Sequence, residues 1–455
     1  MLLLNRLLSV PLSVLLMVGG ATVALAQTAP DAPPPGTTML PHLDESRWWL
    51  SGQLNLISQT HGRFRSPYQG DNSLRPDPEQ AFSRVWTIYT GVRLPAHTEL
   101  LFDIESAGGR GLSDALGVAG FTNLDVVRNP TLGSAPYIAR AMVHVTVPLT
   151  GDVADVTPTP LALAARVAAR RLEIRAGKLS MADFFDVNTV GSDSHLQFTN
   201  WTVDNNGAYD YAADTRGYTY GVIVEYDTPT WSVRFGEALM PTIANGIDID
   251  WHIERARAEN LEVEFHFAPG VAVRVLGYAN HANMGSYDEA INGFLAGREP
   301  KPDIVAHRRP GRLKTGLGVN TEYARSGPVR LFARAGWNEG DNESFAYTEV
   351  NNSAQAGGDL RGALWKRSRD RVGVAVVSNG LSVPHREYLA LGGQGFLLGD
   401  GTLRYGREDI LETYYTAHVW RGVSASGGLQ YIDHPGYNQD RGPVLVEMLR
   451  LHVDF

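Results

Sequence analysis

From residue 46 onward the chain repeats one pattern, a short segment in which apolar and polar residues alternate with a period of two. A period of two places successive side chains on opposite faces of a strand. In the final segment Leu449, Leu451, Val453 and Phe455 share one face, while Met448, Arg450, His452 and Asp454 share the other. Leu261, Val263, Phe265 and Phe267 alternate with Glu262, Glu264 and His266; after Pro269-Gly270, Val271, Val273 and Val275 oppose Arg274. Leu317, Val319 and Thr321 interleave with Asn320 and Glu322, and Val329, Leu331 and Ala333 with Arg330, Phe332 and Arg334. Trp231, Val233 and Phe235 flank Ser232 and Arg234, and Leu172 and Ile174 sit among Arg171, Glu173 and Arg175. Any one of these would suit a half-buried strand of a soluble sandwich.

The connections separate the two possibilities. Tight turns near Ala96-His97, Asp227–Thr230, Pro269-Gly270, Ser326-Gly327, Arg367–Asp370 and Arg421-Gly422 alternate with long polar loops. The loops run over 61–82, 107–136, 179–216 and 280–312. Short turns at one end and long loops at the other are the layout of an outer-membrane barrel. The predicted strands are 46–59, 83–95, 98–106, 138–149, 169–178, 217–227, 231–240, 259–268, 271–280, 313–325, 328–338, 355–365, 371–379, 411–420, 423–433 and 444–455. The fold class is therefore all-β, a transmembrane antiparallel β-barrel of about 16 strands, wide enough for an aqueous lumen. One connection, 150–168, is too long for a short turn and carries an Ala-rich, helix-prone stretch, Leu161 to Ala169. A periplasmic insertion is the simplest account of it.

The start of the chain sets the compartment. Residues 1–26 open with a Leu run and Arg6, continue through an apolar core and end Ala24-Leu25-Ala26, the arrangement of a signal peptide. Residues 27–45 are rich in Pro, Ala and Thr and are expected to form a periplasmic tail, leaving 46–455 as the barrel. There is no cysteine, so disulfides contribute nothing. Charged residues make up 20% of the chain, too many for a helical membrane protein but suited to strands with one lipid-facing side. A net charge of −9 argues against nucleic acid as a partner.

Candidate function lies on the inward register. It is rich in arginine (Arg93, Arg175, Arg234, Arg274, Arg330, Arg334 and Arg450) and shares acids, notably Glu99, Asp103, Glu105, Glu173, Glu262, Glu264 and Glu322. Rows of opposite charge orient water and polar solutes across a narrow pore. For most of these positions the simpler reading is a solvated, paired wall charge. The loop 179–216 is expected to fold inward as the constriction, bringing Phe184, Phe185, Trp201, Tyr209 and Tyr211 among Asp and Asn residues. Aromatic faces beside hydrogen-bonding groups are what a sugar needs. No G-x-S-x-G, H-E-x-x-H or P-loop is present, and the 13 His residues show no ligand spacing. No catalytic residue, metal or other cofactor is expected. Asp341-Asn342-Glu343 has a composition that suits a cation, though such loops are usually only solvated.

Longer motifs then become recognisable. The run Tyr431 to Val444, preceded by Gln430, resembles the Q-Y-x-x-x-P-x-Y-N-x-D-R-G-P signature of the OprB-type carbohydrate-selective porins. So do Lys178-Leu179-Ser180 with Asp183-Phe184-Phe185-Asp186, then Asn200-Trp201 and Asp210 to Tyr218. A further block runs from Asn379 to Ser382 through His385-Arg386, Tyr388 to Ala390 and Gly392-Gly393 to Leu411–Tyr415. Phe64 to Tyr68 and Leu116 to Phe121 agree as well. The resemblance covers nearly the whole chain after the signal segment. It implies a 16-stranded barrel passing monosaccharides and polyols by passive diffusion, with an inward-folded loop and a charged eyelet. The insert at 161–169 departs from that pattern. The expected partners are small sugars and outer-membrane lipid, with homo-oligomerisation open. A general or anion-preferring pore is the alternative, and an outer-membrane enzyme a weaker one.

Overall fold

Alternation closes into a cylinder. The computed structural model of the chain describes residues 38–40, 46–129 and 132–455. The signal segment and most of the tail therefore lie outside the described residues. The strands in chain order are β1 (Trp48–His61), β2 (Glu79–Leu94), β3 (Thr98–Gly109), β4 (Tyr137–Pro148), β5 (Val153–Asp155) and β6 (Arg166–Ala168). Then follow β7 (Arg171–Leu179), β8 (Thr219–Asp227), β9 (Trp231–Leu239), β10 (Arg257–Ala268), β11 (Val271–Met284) and β12 (Arg309–Tyr323). The last are β13 (Val329–Asn338), β14 (Asn352–Arg361), β15 (Arg371–Gly380), β16 (Glu408–Trp420), β17 (Val423–Asp433) and β18 (Val444–Asp454). All but β5 and β6 pair in one antiparallel closed barrel of sixteen strands. Its seam joins β1 to β18, from Gln53 opposite Asp454 to His61 opposite Val446.

The outer face is apolar because lipid covers it. In β18, Leu449 and Leu451 are exposed while Met448, Arg450 and His452 are buried, as the period of two requires. Trp48, Trp231, Phe267, Tyr323 and Trp420 ring the short-turn end, and Tyr220, Trp251 and Trp337 the long-loop end. Amphipathic rings at both ends of an apolar band suit the two membrane interfaces. Several strands run further than alternation alone predicts, β2 from Glu79 and β12 from Arg309. Above the lipid band both faces meet water or loops, so the hydrophobic contrast fades while the hydrogen-bond ladder continues. Among the described residues no helix is long and apolar enough to cross a membrane.

The turns at the short-turn end are tight. Ala96 and His97 both take positive φ, 58° and 53°, the backbone of a two-residue hairpin turn that matches strand twist. The 150–168 connection breaks this rule, and not as a helix. Residues 153–155 and 166–168 pair as a separate two-stranded hairpin, β5–β6. A weak local preference of the alanines for helix is overridden by this pairing.

Candidate functional site

Residues 180–218 leave β7 and, besides bonds within the segment, hydrogen-bond to side chains of β10, β12, β13 and β16. The carboxylate of Glu412 accepts from the Thr199 and Asn200 backbone N–H groups at 2.7 and 3.1 Å. Glu322 accepts from Thr189 N at 2.8 Å, and Glu262 from Asp186 N at 2.8 Å. Arg334 pairs with Asp186 at 3.1 Å and donates to the Val203 carbonyl at 2.9 Å. A second segment, from the β3–β4 loop, joins it. Glu408 accepts from Ala119 N and Gly120 N at 3.0 and 2.8 Å, and Trp201 N donates to Phe121 O at 2.9 Å. A carboxylate taking two backbone N–H groups satisfies donors that water cannot reach. The four-residue helix α1 (Trp201–Asp204) is held in the same way, its Asn200 cap accepting from Thr202 N.

Beneath this layer the wall carries a ladder of alternating charge. Arg175 reaches Glu173 and, at 3.2 Å, Glu225; Arg234 reaches Glu225 and, at 2.7 Å, Glu262. Arg274 then bridges Glu264 at 2.8 Å and Glu322 at 3.1 Å. The order follows from register, since Glu225 lies opposite Arg234 and Arg234 opposite Glu262. Phe184 lies under the Arg175 guanidinium at 5.0 Å. A cavity of about 140 Å³ opens on this ladder, lined by Arg175, Arg234, Arg274, Glu264 and Phe184.

A second cavity, of about 290 Å³, is built around a residue outside the expected set, Arg140 on β4. Its Nε and Nη2 donate to the two oxygens of Asp183, each at 2.7 Å, and Nη1 reaches Asp103 at 3.3 Å. Tyr218 lies beneath it, 5.4 Å from its ring centroid, and Tyr137 donates to Glu105 at 2.6 Å. Trp201 and Tyr211 line the same space. Arg140 shares the inward phase of the buried Met142 and His144, and the register of β3 with β4 shifts only beyond it, between Asp103 and Ile104, so that Ile138 faces out. Strict alternation from Ile138 hides it.

The other expected residues are dispersed. Arg93 sits at the short-turn rim, opposite Glu99 in register, with Nη2 on the Ser46 carbonyl at 2.7 Å. Arg330 pairs with Asp359 and Arg450 with the Ser194 carbonyl. Neither Arg330 nor Arg334 lines the two cavities just described. Phe185 is fully buried, and Tyr209 is buried with its hydroxyl on Asn260 at 2.9 Å. Trp201 stacks on Tyr347 with centroids 5.5 Å apart and donates through Nε1 to the Asn123 carbonyl. The loop glutamate of the candidate cation motif, Glu343, is taken by Arg308 at 2.6 Å. Among the described residues the carboxylates of Glu173, Glu225 and Asp227 do converge, but Arg171, Arg175 and Arg234 already neutralise them.

One pair on the loops titrates away from its ordinary range. Burial opposes charge on His195, yet Asp125 at 3.4 Å raises its pKa from 6.5 to about 9. Asp125 is likewise buried, and the His195 imidazolium with Asn55 holds its carboxyl below the usual value. His195 also stacks on His452 at 5.4 Å, so the pair ties the inward segment to β18. Both Asp125 and His195 line the larger cavity.

Comparison with known proteins identifies this architecture. The sequence profile described as carbohydrate-selective porin, OprB family, matches residues 71–455. Among solved structures, the high-pH structure of Pseudomonas putida OprB is 15% identical over 90% of this chain and 94% of that one, with a TM-score of 0.68. The outer membrane channel DcaP of Acinetobacter baumannii is 11% identical over 90% and 97% of the two chains, with a TM-score of 0.49. No curated protein matches the chain. With the profile spanning most of a closed sixteen-stranded barrel, the chain belongs to the OprB family of carbohydrate-selective porins, outer-membrane channels of Gram-negative bacteria through which small carbohydrates diffuse.

Proposed function

We propose that the space around Arg140 and Asp183 is the eyelet, that residues 180–218 form its constriction, and that monosaccharides and polyols of hexose size are the favoured solutes. The observation that carries this reading is the combination found in one cavity: Arg140 fixed between Asp183 and Asp103, with Tyr137, Tyr218, Trp201 and Tyr211 around it. Fixed donors and acceptors exchange hydrogen bonds with hydroxyls, and the rings offer faces to the C–H side of a sugar. The ladder arginines favour sugar over anion, because Arg175, Arg234 and Arg274 each face carboxylates on two neighbours. The barrel acts here as a passage and not as an enzyme. Homo-oligomerisation is part of the proposal, and native mass in detergent reads it. Liposome swelling tests the sugar preference: hexoses should enter faster than amino acids and salts of matched size. Equal rates for all three remove the preference.

A further inference from the structure

The connection between β4 and β7 is the feature that the family pattern leaves over, and its exposure runs the wrong way for a simple surface insert. Its ladder begins where Leu149 N donates to Arg170 O at 3.0 Å and continues with Ala169 N to Asp152 O at 2.8 Å. Val156 N then reaches Ala165 O, and Thr159 and Ala162 exchange both bonds, leaving Pro160-Leu161 as a two-residue tip. A hairpin projecting into the periplasm is most exposed at its tip. Here Val153 at the base is 54% exposed, whereas Thr159 and Leu163 near the tip are 8% and 3%. The hairpin is rooted at the short-turn rim and turned back into the barrel.

Two contacts fix it there. Leu163 N donates to the Glu99 carboxylate at 3.0 Å, and Glu99 is itself bonded to His144 Nδ1 at 2.9 Å. Leu163 fills the gap left by a wall glycine: a Cβ on Gly91 would stand 2.7 Å from its Cδ1. Leu161 lines both lumen cavities, the one with Arg140 and Asp183 and the one with Arg175 and Arg234. An apolar tip thus stands beside the arginines and acids of both cavities. Apolar surface in a narrow aqueous path penalises ions, which must shed water there, and narrows the cross-section for every solute.

We propose that the hairpin 152–169 is a specificity-determining plug, entering from the periplasmic end and setting the size limit of the pore through Leu161. The inference rests on the cavity around Arg140 lying on the permeation path.

The test uses the full-length protein in planar bilayers and in liposomes. Deleting residues 152–169 and joining the strands by an Asn-Gly turn should raise single-channel conductance about two-fold or more. The same deletion should move the liposome-swelling limit from monosaccharides to oligosaccharides. Because the chain has no cysteine, Leu161→Cys introduces a single thiol without touching the barrel ladder. A methanethiosulfonate reagent should then cut its conductance by more than half, and leave the wild type unchanged. Unchanged conductance on deletion, or a modified thiol with no effect on current, overturns the plug. The two proposals fail separately. A deletion that raises conductance in a pore showing no sugar preference keeps the plug and rejects the sugar reading. A sugar-preferring pore indifferent to the deletion does the reverse.

Discussion

Replacing Arg140 by glutamine should turn the pore toward cations. The guanidinium holds Asp183 through two hydrogen bonds of 2.7 Å and stands 3.3 Å from Asp103, with Glu105 lining the same cavity. Arg140→Gln removes the central positive charge and leaves the acids. A unit charge acting on a permeating ion at 4 Å is worth about 1 kcal/mol in bulk-like water and about 4 kcal/mol at an effective dielectric constant near 20. Since 1.4 kcal/mol is a factor of ten, the smaller value alone, gained by a cation and lost by an anion, gives about a 25-fold rise in the cation-to-anion permeability ratio. Reversal potential across a planar bilayer under a KCl gradient measures that ratio directly. Arg140→Lys is the informative control, because it keeps the charge and loses the two-pronged fit to the carboxylate. It should keep the wild-type reversal potential while loosening the 180–218 segment. A reversal potential unchanged in Arg140→Gln would show that ions do not pass Arg140, and the proposed eyelet would fall with it.

Other outcomes follow from the anchors of the inward segment. Glu412→Ala orphans the Thr199 and Asn200 N–H groups, at about 1–3 kcal/mol each, so limited proteolysis within 180–218 should accelerate and open-channel noise should rise. The His195–Asp125 pair has a definite pH window. The folded pKa of His195 is raised from 6.5 to about 9, so its stabilisation is complete below 6.5 and is lost as pH climbs through about 9. Proteolysis of the segment should therefore increase between those values, and His195→Gln should abolish that step while leaving the rest of the profile in place. Gly236→Val would put a Cβ 2.9 Å from the Phe185 ring, and overpacking of this kind costs about 1–3 kcal/mol, which a lowered thermal midpoint should register.

The wall was legible in the sequence because a period of two leaves little freedom. Once Leu449 faces lipid, Arg450 must face the lumen, and the same holds for Leu261 and Glu262. Local alternation also placed Arg175, Arg234 and Arg274 on one side, and register did the rest. Arg140 escaped because alternation counted forward from Ile138 crosses a bulge; counted back from Met142 and His144, Arg140 falls on the inward face. The duties of Glu262, Glu322 and Glu412 escaped for another reason. An inward glutamate reads the same whether it meets water or the backbone of a loop far away in sequence. The hairpin at 150–168 was misread through its alanines, because contacts to Glu99 and Gly91 outweigh a weak local preference.

The seam between β1 and β18 carries a consequence for how such a molecule comes into being. Its two strands are supplied by opposite ends of the barrel sequence, so no partial chain can complete the ring. Until the last strand arrives, β1 presents a free edge able to pair with any other strand it meets. Contacts of such long sequence separation reward the chain late and make folding slow. Closure is thus the final and commanding event of assembly, when Gly52 and Phe455 exchange their two backbone hydrogen bonds and the open sheet becomes a pore.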